Sequence, residues 1–139
     1  MSQLGNLDAS FPGTTTIVTG GGGGMGRATA LAFASAGSRV VVADLSTDNG
    51  NETVAQVTAA GGEAVFARTD VSKADDVAAM VATALSSFGR LDYAVNAAAI
   101  EFETDFLADL ADDDFDRMIA VNLRSVFLCM KHEINAMLP

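Results

Sequence analysis

A chain of 139 residues, half of them hydrophobic, can bury a real core and is too apolar to stay disordered, so one folded domain spanning residues 1–139 is expected. Eight Lys and Arg against 18 Asp and Glu leave a net charge of −10, the wrong sign for a surface that must attract nucleic-acid phosphates or anionic lipid. Neither nucleic acid nor membrane is an expected partner.

The first ten residues carry no basic segment with an apolar run behind it, and no apolar run approaches the ~18 residues of a membrane span. The single cysteine, Cys129, allows no internal disulfide and lies in the apolar stretch Val126-Phe127-Leu128-Cys129-Met130. It reads as a core residue of a cytoplasmic protein in a reducing compartment.

Polar Met1 to Gly13 reads as a loose lead-in. Thr14 to Thr19 is rich in β-branched residues and stops at five glycines, the pattern of a buried strand meeting a tight turn. Met25 to Ala36 is helix-compatible and Gly37 is a reasonable stop, after which Val40 to Ala43 forms a second strand. A helix from about Asp48 to Ala60 ends at Gly61-Gly62, and Ala64 to Ala67 is a third strand. Ser72 with Asp75 three residues on reads as a capped start for a helix running to about Phe88 and Gly89. Tyr93 to Asn96 is a fourth strand, and a long helix is expected from Asp112 to Met137.

Between them Glu101, Glu103, Asp105, Asp109, Asp112, Asp113, Asp114 and Asp116 crowd together. With no His or spaced ligand set among them they read as a solvated loop and helix start, and no metal site is expected. Strands alternating with helices of ten or more residues imply right-handed crossovers, hence an α/β, doubly wound parallel sheet of about four strands with helices on both faces. A Rossmann-like sheet of this kind takes the order 3-2-1-4.

The glycine cluster sits where backbone N–H groups at a helix N-terminus can meet a pyrophosphate. Gly21, Gly23 and Gly26 formally give G-x-G-x-x-G, but five glycines satisfy many spacings, so the strand before and helix after carry the weight. A triphosphatase loop would need Lys and Ser or Thr after its last glycine, and here Arg27 and Ala28 follow Gly26. Asp44 closes the second strand 18 residues after Gly26, near the spacing at which a carboxylate accepts hydrogen bonds from the adenosine ribose hydroxyls. The same carboxylate repels a 2′-phosphate.

Thr19-Gly20-Gly21-Gly22-Gly23-Gly24-Met25-Gly26 resembles the T-G-x-x-x-G-x-G cofactor motif of the short-chain dehydrogenase/reductase family. The resemblance makes Gly20, Gly24 and Gly26 the motif glycines and turns the backbone around Met25 toward the pyrophosphate. Relatives preferring NADP(H) place a basic residue where this chain has Gly23 or Leu45, so the resemblance implies NAD(H). Thr69-Asp70-Val71 resembles the family's adenine-contact segment, with Asp70 and Val71 at the base; a plain alternative is that Asp70 helps cap the next helix. Asn96-Ala97-Ala98-Ala99 stands where the family has N-N-A-G: Asn96 and Ala98 match, while Ala97 removes an amide and Ala99 adds a methyl. Val121-Asn122-Leu123-Arg124 resembles the family's V-N-L segment, whose Asn is catalytic.

The family's Ser and its Tyr and Lys four residues apart have no match. Tyr93, the sole tyrosine, has Ala97 four residues later, and His132 has no paired carboxylate at a diagnostic spacing. The resemblance thus implies the NAD(H)-binding half of an oxidoreductase that transfers hydride between alcohol and carbonyl when complete, truncated at the C-terminus and inactive or needing a partner as it stands. The alternative is a non-catalytic nucleotide-binding or assembly module. An S-adenosylmethionine methyltransferase shares the glycine turn and the acidic strand end, but Thr19 and the Asn96 segment argue against it. A fourth strand left as an edge, and a long helix more apolar than half a sheet can cover, predict a homo-oligomer through either surface; relatives similar to this chain use that helix at a subunit interface.

Overall fold

In the computed structural model, residues 10–102 and 106–139 are described. Met1 to Ala9 of the lead-in, and Glu103 and Asp105 of the acidic stretch, lie outside them. Four strands alternate with helices: β1 (Thr15–Thr19), α1 (Gly24–Ser35), β2 (Arg39–Asp44), α2 (Thr47–Ala59), β3 (Ala64–Arg68), α3 (Ala74–Phe88) and β4 (Tyr93–Asn96). A short 3₁₀ turn at Leu107–Asp109 leads into α4 (Asp112–Ile119), a π-helical turn (Ala120–Arg124) and α5 (Ser125–Met137).

All strand pairs are parallel and the order is β3-β2-β1-β4, as the alternating pattern predicts. Pleating sends successive side chains to opposite faces. Val40 and Val42 therefore join Val18 and Ala30 in one core, against Phe33, Ala34 and Val54 of α1 and α2. Val41 and Ala43 join Ile17 in the other, against Val77, Met80 and Ala84 of α3 and Leu128 of α5. Residues 40 to 42 form an unbroken valine run because both faces of the sheet are covered. Each of these fully buried valines contributes roughly 1.5–3 kcal/mol. Cys129 is buried in the same core as Leu128.

Two local expectations change. Ser72 does not cap α3: the N-cap is Lys73, without a side-chain bond, and the Ser72 hydroxyl donates to Asp70 Oδ1 at 2.6 Å. The Asp76 carboxylate instead reaches back to accept from Asp70 N–H at 2.9 Å. The long helix is also not uniform, because the π turn at Ala120–Arg124 interrupts its α-helical ladder. From that turn onward, Leu123, Phe127, Met130, Ile134 and Met137 recur at helical spacing and are all exposed, Leu123 at 64% and Phe127 at 63%.

Candidate functional site

The carboxyl ends of the parallel strands converge on one side of the sheet, and β1 and β4 lie side by side at the switch point of the order. A cleft of ≈ 460 Å³ opens there, between the glycine turn, the ends of β2 and β3, the Ala97 to Ile100 segment and α4. That volume falls within the range of small-molecule sites.

The glycine turn is shaped by contacts that leave no room for side chains. Gly20 holds a φ of +66°, and a Cβ there would meet Ala98 Cα at 2.9 Å, so the turn lies directly on the segment after β4. At Gly26 a Cβ would fall on the carbonyl oxygen of Gly20, which is how the first turn of α1 packs onto the end of β1. Thr19 joins the two strand ends, its hydroxyl accepting from Ala98 N–H at 3.2 Å. Gly24 opens α1 with a φ of +49° but is outside the cleft lining, whereas Met25 is in it and is 84% exposed.

The helix beyond the turn is electrostatically unlike α2, α3 and α4. The first turns of α2, α3 and α4 each carry one or more aspartates, which offset the positive end of the helix dipole. The first turn of α1 carries none, and its N-cap, Gly23, has no side chain to accept from the free N–H groups. Those donors face the cleft, and their natural complement is a phosphate or pyrophosphate. The residues therefore fit the phosphates of a nucleotide cofactor.

Asp44 lies at the cleft with both carboxylate oxygens in use: Oδ2 accepts from Gly22 N–H at 2.8 Å and Oδ1 from Ser46 N–H at 2.9 Å. Leu45 beside it is 53% exposed and lines the same cleft. Across from it, Asp70 and buried Val71 line the cleft after β3. The Ser72 hydroxyl holds the Asp70 carboxyl below its usual range, and Lys73 adds a salt bridge at 3.6 Å. Asp70 thus shapes the turn into α3 without capping that helix, whose N-cap is Lys73, and it lines the cleft.

Besides Gly24, two expected site residues lie off the cleft lining. Asn96 turns its amide to Glu133 on α5, donating to Oε2 at 2.9 Å. Glu133 is only 2% exposed, and burial raises its carboxyl above the ordinary range, partly offset by the Asn96 bond. Burial, then Glu133, pushes the Cys129 thiol up to about 12, which suits a core residue and not a nucleophile. Asn122, in the π turn, clips the segment after β4: its Oδ1 accepts from Ile100 N–H at 2.9 Å and its Nδ2 donates to Ile100 O at 2.8 Å.

Arg27 and Thr53 had no signal in the sequence and prove central. The Arg27 guanidinium donates to Gly22 O, Asn49 O and Thr53 Oγ1, and the Thr53 hydroxyl donates to Gly21 O at 2.8 Å. These contacts span more than 20 residues except the one to Gly22, so no local motif reveals them. Arg117 of α4, its guanidinium 5.7 Å from the Phe102 ring, supplies the cationic wall of the cleft and was likewise unmarked.

Comparison with known proteins agrees with this geometry. A family model for short chain dehydrogenases matches residues 14–139. The chain is 45% identical over 130 residues to a short chain dehydrogenase/reductase, astE, of Aspergillus oryzae, covering 93% of this chain and 50% of that protein. The crystal structure of a Mycobacterium avium short chain dehydrogenase superposes with a TM-score of 0.85 at 41% identity, over 90% of this chain and 46% of that one. A metagenomic short-chain oxidoreductase in complex with NADP also superposes at 0.85, with 32% identity over 91% of this chain and 57% of that one. The chain spans about half the length of the curated relatives it matches. Because the family match runs through every strand and helix that builds the cleft, the chain belongs to the short-chain dehydrogenase/reductase family.

Proposed function

We propose that these 139 residues are the NAD(H)-binding half of a cytoplasmic alcohol/carbonyl oxidoreductase, forming a Rossmann-like domain incomplete at its C-terminus. Asp44 carries the reading. Its carboxylate is fixed at the end of β2, on the cleft, where ribose hydroxyls can donate to its remaining lone pairs and a 2′-phosphate would meet a negative charge. The cation that follows the glycine turn, Arg27, is held behind it by backbone carbonyls, and Leu45 offers no charge. In this assignment Gly20, Gly24, Met25 and Gly26 receive the pyrophosphate, Asp70 and Val71 flank the adenine, and Asn96 and Ala98 support the β4 side. The nicotinamide supplies the hydride chemistry when bound. Asn122, occupied by Ile100, acts by positioning the segment after β4.

A non-catalytic nucleotide-binding module is the second reading, and Tyr93 favours it. The sole tyrosine sits at the opposite end of β4 from the cleft, edge-on to Phe11 at 5.1 Å between centroids, where it can serve no bound nucleotide. Among the described residues no helix is long and apolar enough to cross a membrane. The exposed apolar face of α5 is assigned to a second copy of the chain.

Titration calorimetry of the protein with NAD⁺ and NADP⁺ tests the cofactor assignment. NAD⁺ should bind more tightly, and Asp44→Ala should remove most of that preference; equal or tighter binding of NADP⁺ by the unaltered chain refutes it. Assays of alcohol oxidation by the 139-residue chain separate the two readings from a self-sufficient enzyme. No turnover is expected, and steady nicotinamide reduction would show that proton transfer runs through residues other than the family's Tyr and Lys.

A further inference from the structure

Gly22, the third of the five glycines, is not a motif position, yet it is buried and touches the group on which nucleotide choice rests. Its N–H donates to Asp44 Oδ2 at 2.8 Å. A Cβ built on it would lie 2.7 Å from that oxygen, 2.8 Å from Asp44 Cγ and 3.0 Å from Asn49 Cβ. Its backbone is not left-handed, unlike those of Gly20 and Gly24, so any residue could adopt its conformation. What the position requires is an empty space, and the Asp44 carboxylate fills it.

A carboxylate offers about four lone-pair directions. With Gly22 N–H on one oxygen and Ser46 N–H on the other, one direction on each oxygen remains, a match for two adjacent ribose hydroxyls. Any side chain at residue 22 must displace the flexible end of Asp44, and with it the carboxylate oxygen that makes the first of these anchors.

We propose that Gly22 is a specificity-determining residue: its missing side chain lets Asp44 dock on the glycine turn, which sets the carboxylate to read the ribose of a nucleotide without a 2′-phosphate. The inference rests on the assignment of Asp44 above. It extends that assignment from the charged group to the residue that aims it.

The test is calorimetry of the full chain with ADP-ribose and its 2′-phosphorylated form, using Gly22→Ala, Asp44→Ala and the double variant. Gly22→Ala should weaken ADP-ribose by roughly tenfold, the size of one charge-assisted hydrogen bond, with little change for the 2′-phosphate. Added to Asp44→Ala it should change nothing further, because both act through one group. If Asp44→Ala erases the preference and Gly22→Ala does not, or if Gly22→Ala weakens both ligands equally, the proposal is overturned and the ribose assignment stands. If Asp44→Ala leaves the preference intact, the ribose assignment itself falls and takes this one with it. A measurement that needs no alanine at residue 22 is the Gly22 amide proton resonance, which should move upfield in Asp44→Ala; an unmoved resonance also overturns the proposal.

Discussion

The glycine turn and the α4 to α5 segment meet at the same cleft but are built on opposite terms. Around the turn, the groups behind the cleft-facing N–H donors find partners within the chain: Gly21 N–H on Ala43 O, Gly22 N–H on Asp44, Arg27 on three acceptors, Thr53 on Gly21 O. Around α5, an apolar stripe is exposed, and Asn96 Oδ1 and Glu133 Oε1 are buried without a partner among the described residues. One region is finished by bonds within the chain; the other, among the described residues, is left with an exposed apolar stripe and buried polar atoms that lack partners.

The largest expected effect is at the finished side. Gly26→Ala forces a methyl onto the Gly20 carbonyl, backbone against backbone, and should cost about 3 kcal/mol and abolish nucleotide binding. Chemical denaturation checks it; a variant of unchanged stability would mean that the turn gives way easily and that the contrast between regions is false.

At the unfinished side the expected sign is reversed. A carboxyl raised above its unfolded value favours the folded state while protonated, a contribution complete below the unfolded value and lost as pH rises through the folded one. Glu133→Gln removes that loss and gives Asn96 Oδ1 a donor, so it should stabilise the chain at neutral pH by about 1 kcal/mol. Thermal unfolding across pH is the measurement: the advantage should shrink as the solution is acidified, and an advantage independent of pH would show that Glu133 is not the titrating group.

The smallest effect on stability concerns the stripe. Phe127→Ser and Ile134→Ser lie on exposed surface and should each change stability by about 0.5 kcal/mol or less while shifting light scattering toward monomer. Unchanged oligomer size would place the subunit contact elsewhere, the β4 edge being the next candidate.

The two regions also differed in how readily the sequence disclosed them. The β-branched run before the glycines, the valines of β2 and the spacing of Asp44 are local patterns, and strand order follows from their alternation. The braces were hidden because Arg27 and Thr53 act on carbonyls brought close only by the fold. Ser72 misled for a related reason: its hydroxyl could cap α3 or bond Asp70, and the tighter turn won. The π turn left no periodicity to find, since one extra residue in a helical turn shifts an apolar pattern no more than ordinary sequence variation does.

Five consecutive glycines would form a floppy tether in a free chain, with a large entropy to lose on gripping a ligand. Here that freedom is already gone, removed by the bonds to Ala43, Asp44, Arg27 and Thr53 when the domain folds. The recognition loop is therefore preorganised, and the ordering cost falls on folding instead of on association. Destabilising those braces should consequently appear as a more unfavourable binding entropy before any bond to the nucleotide is lost.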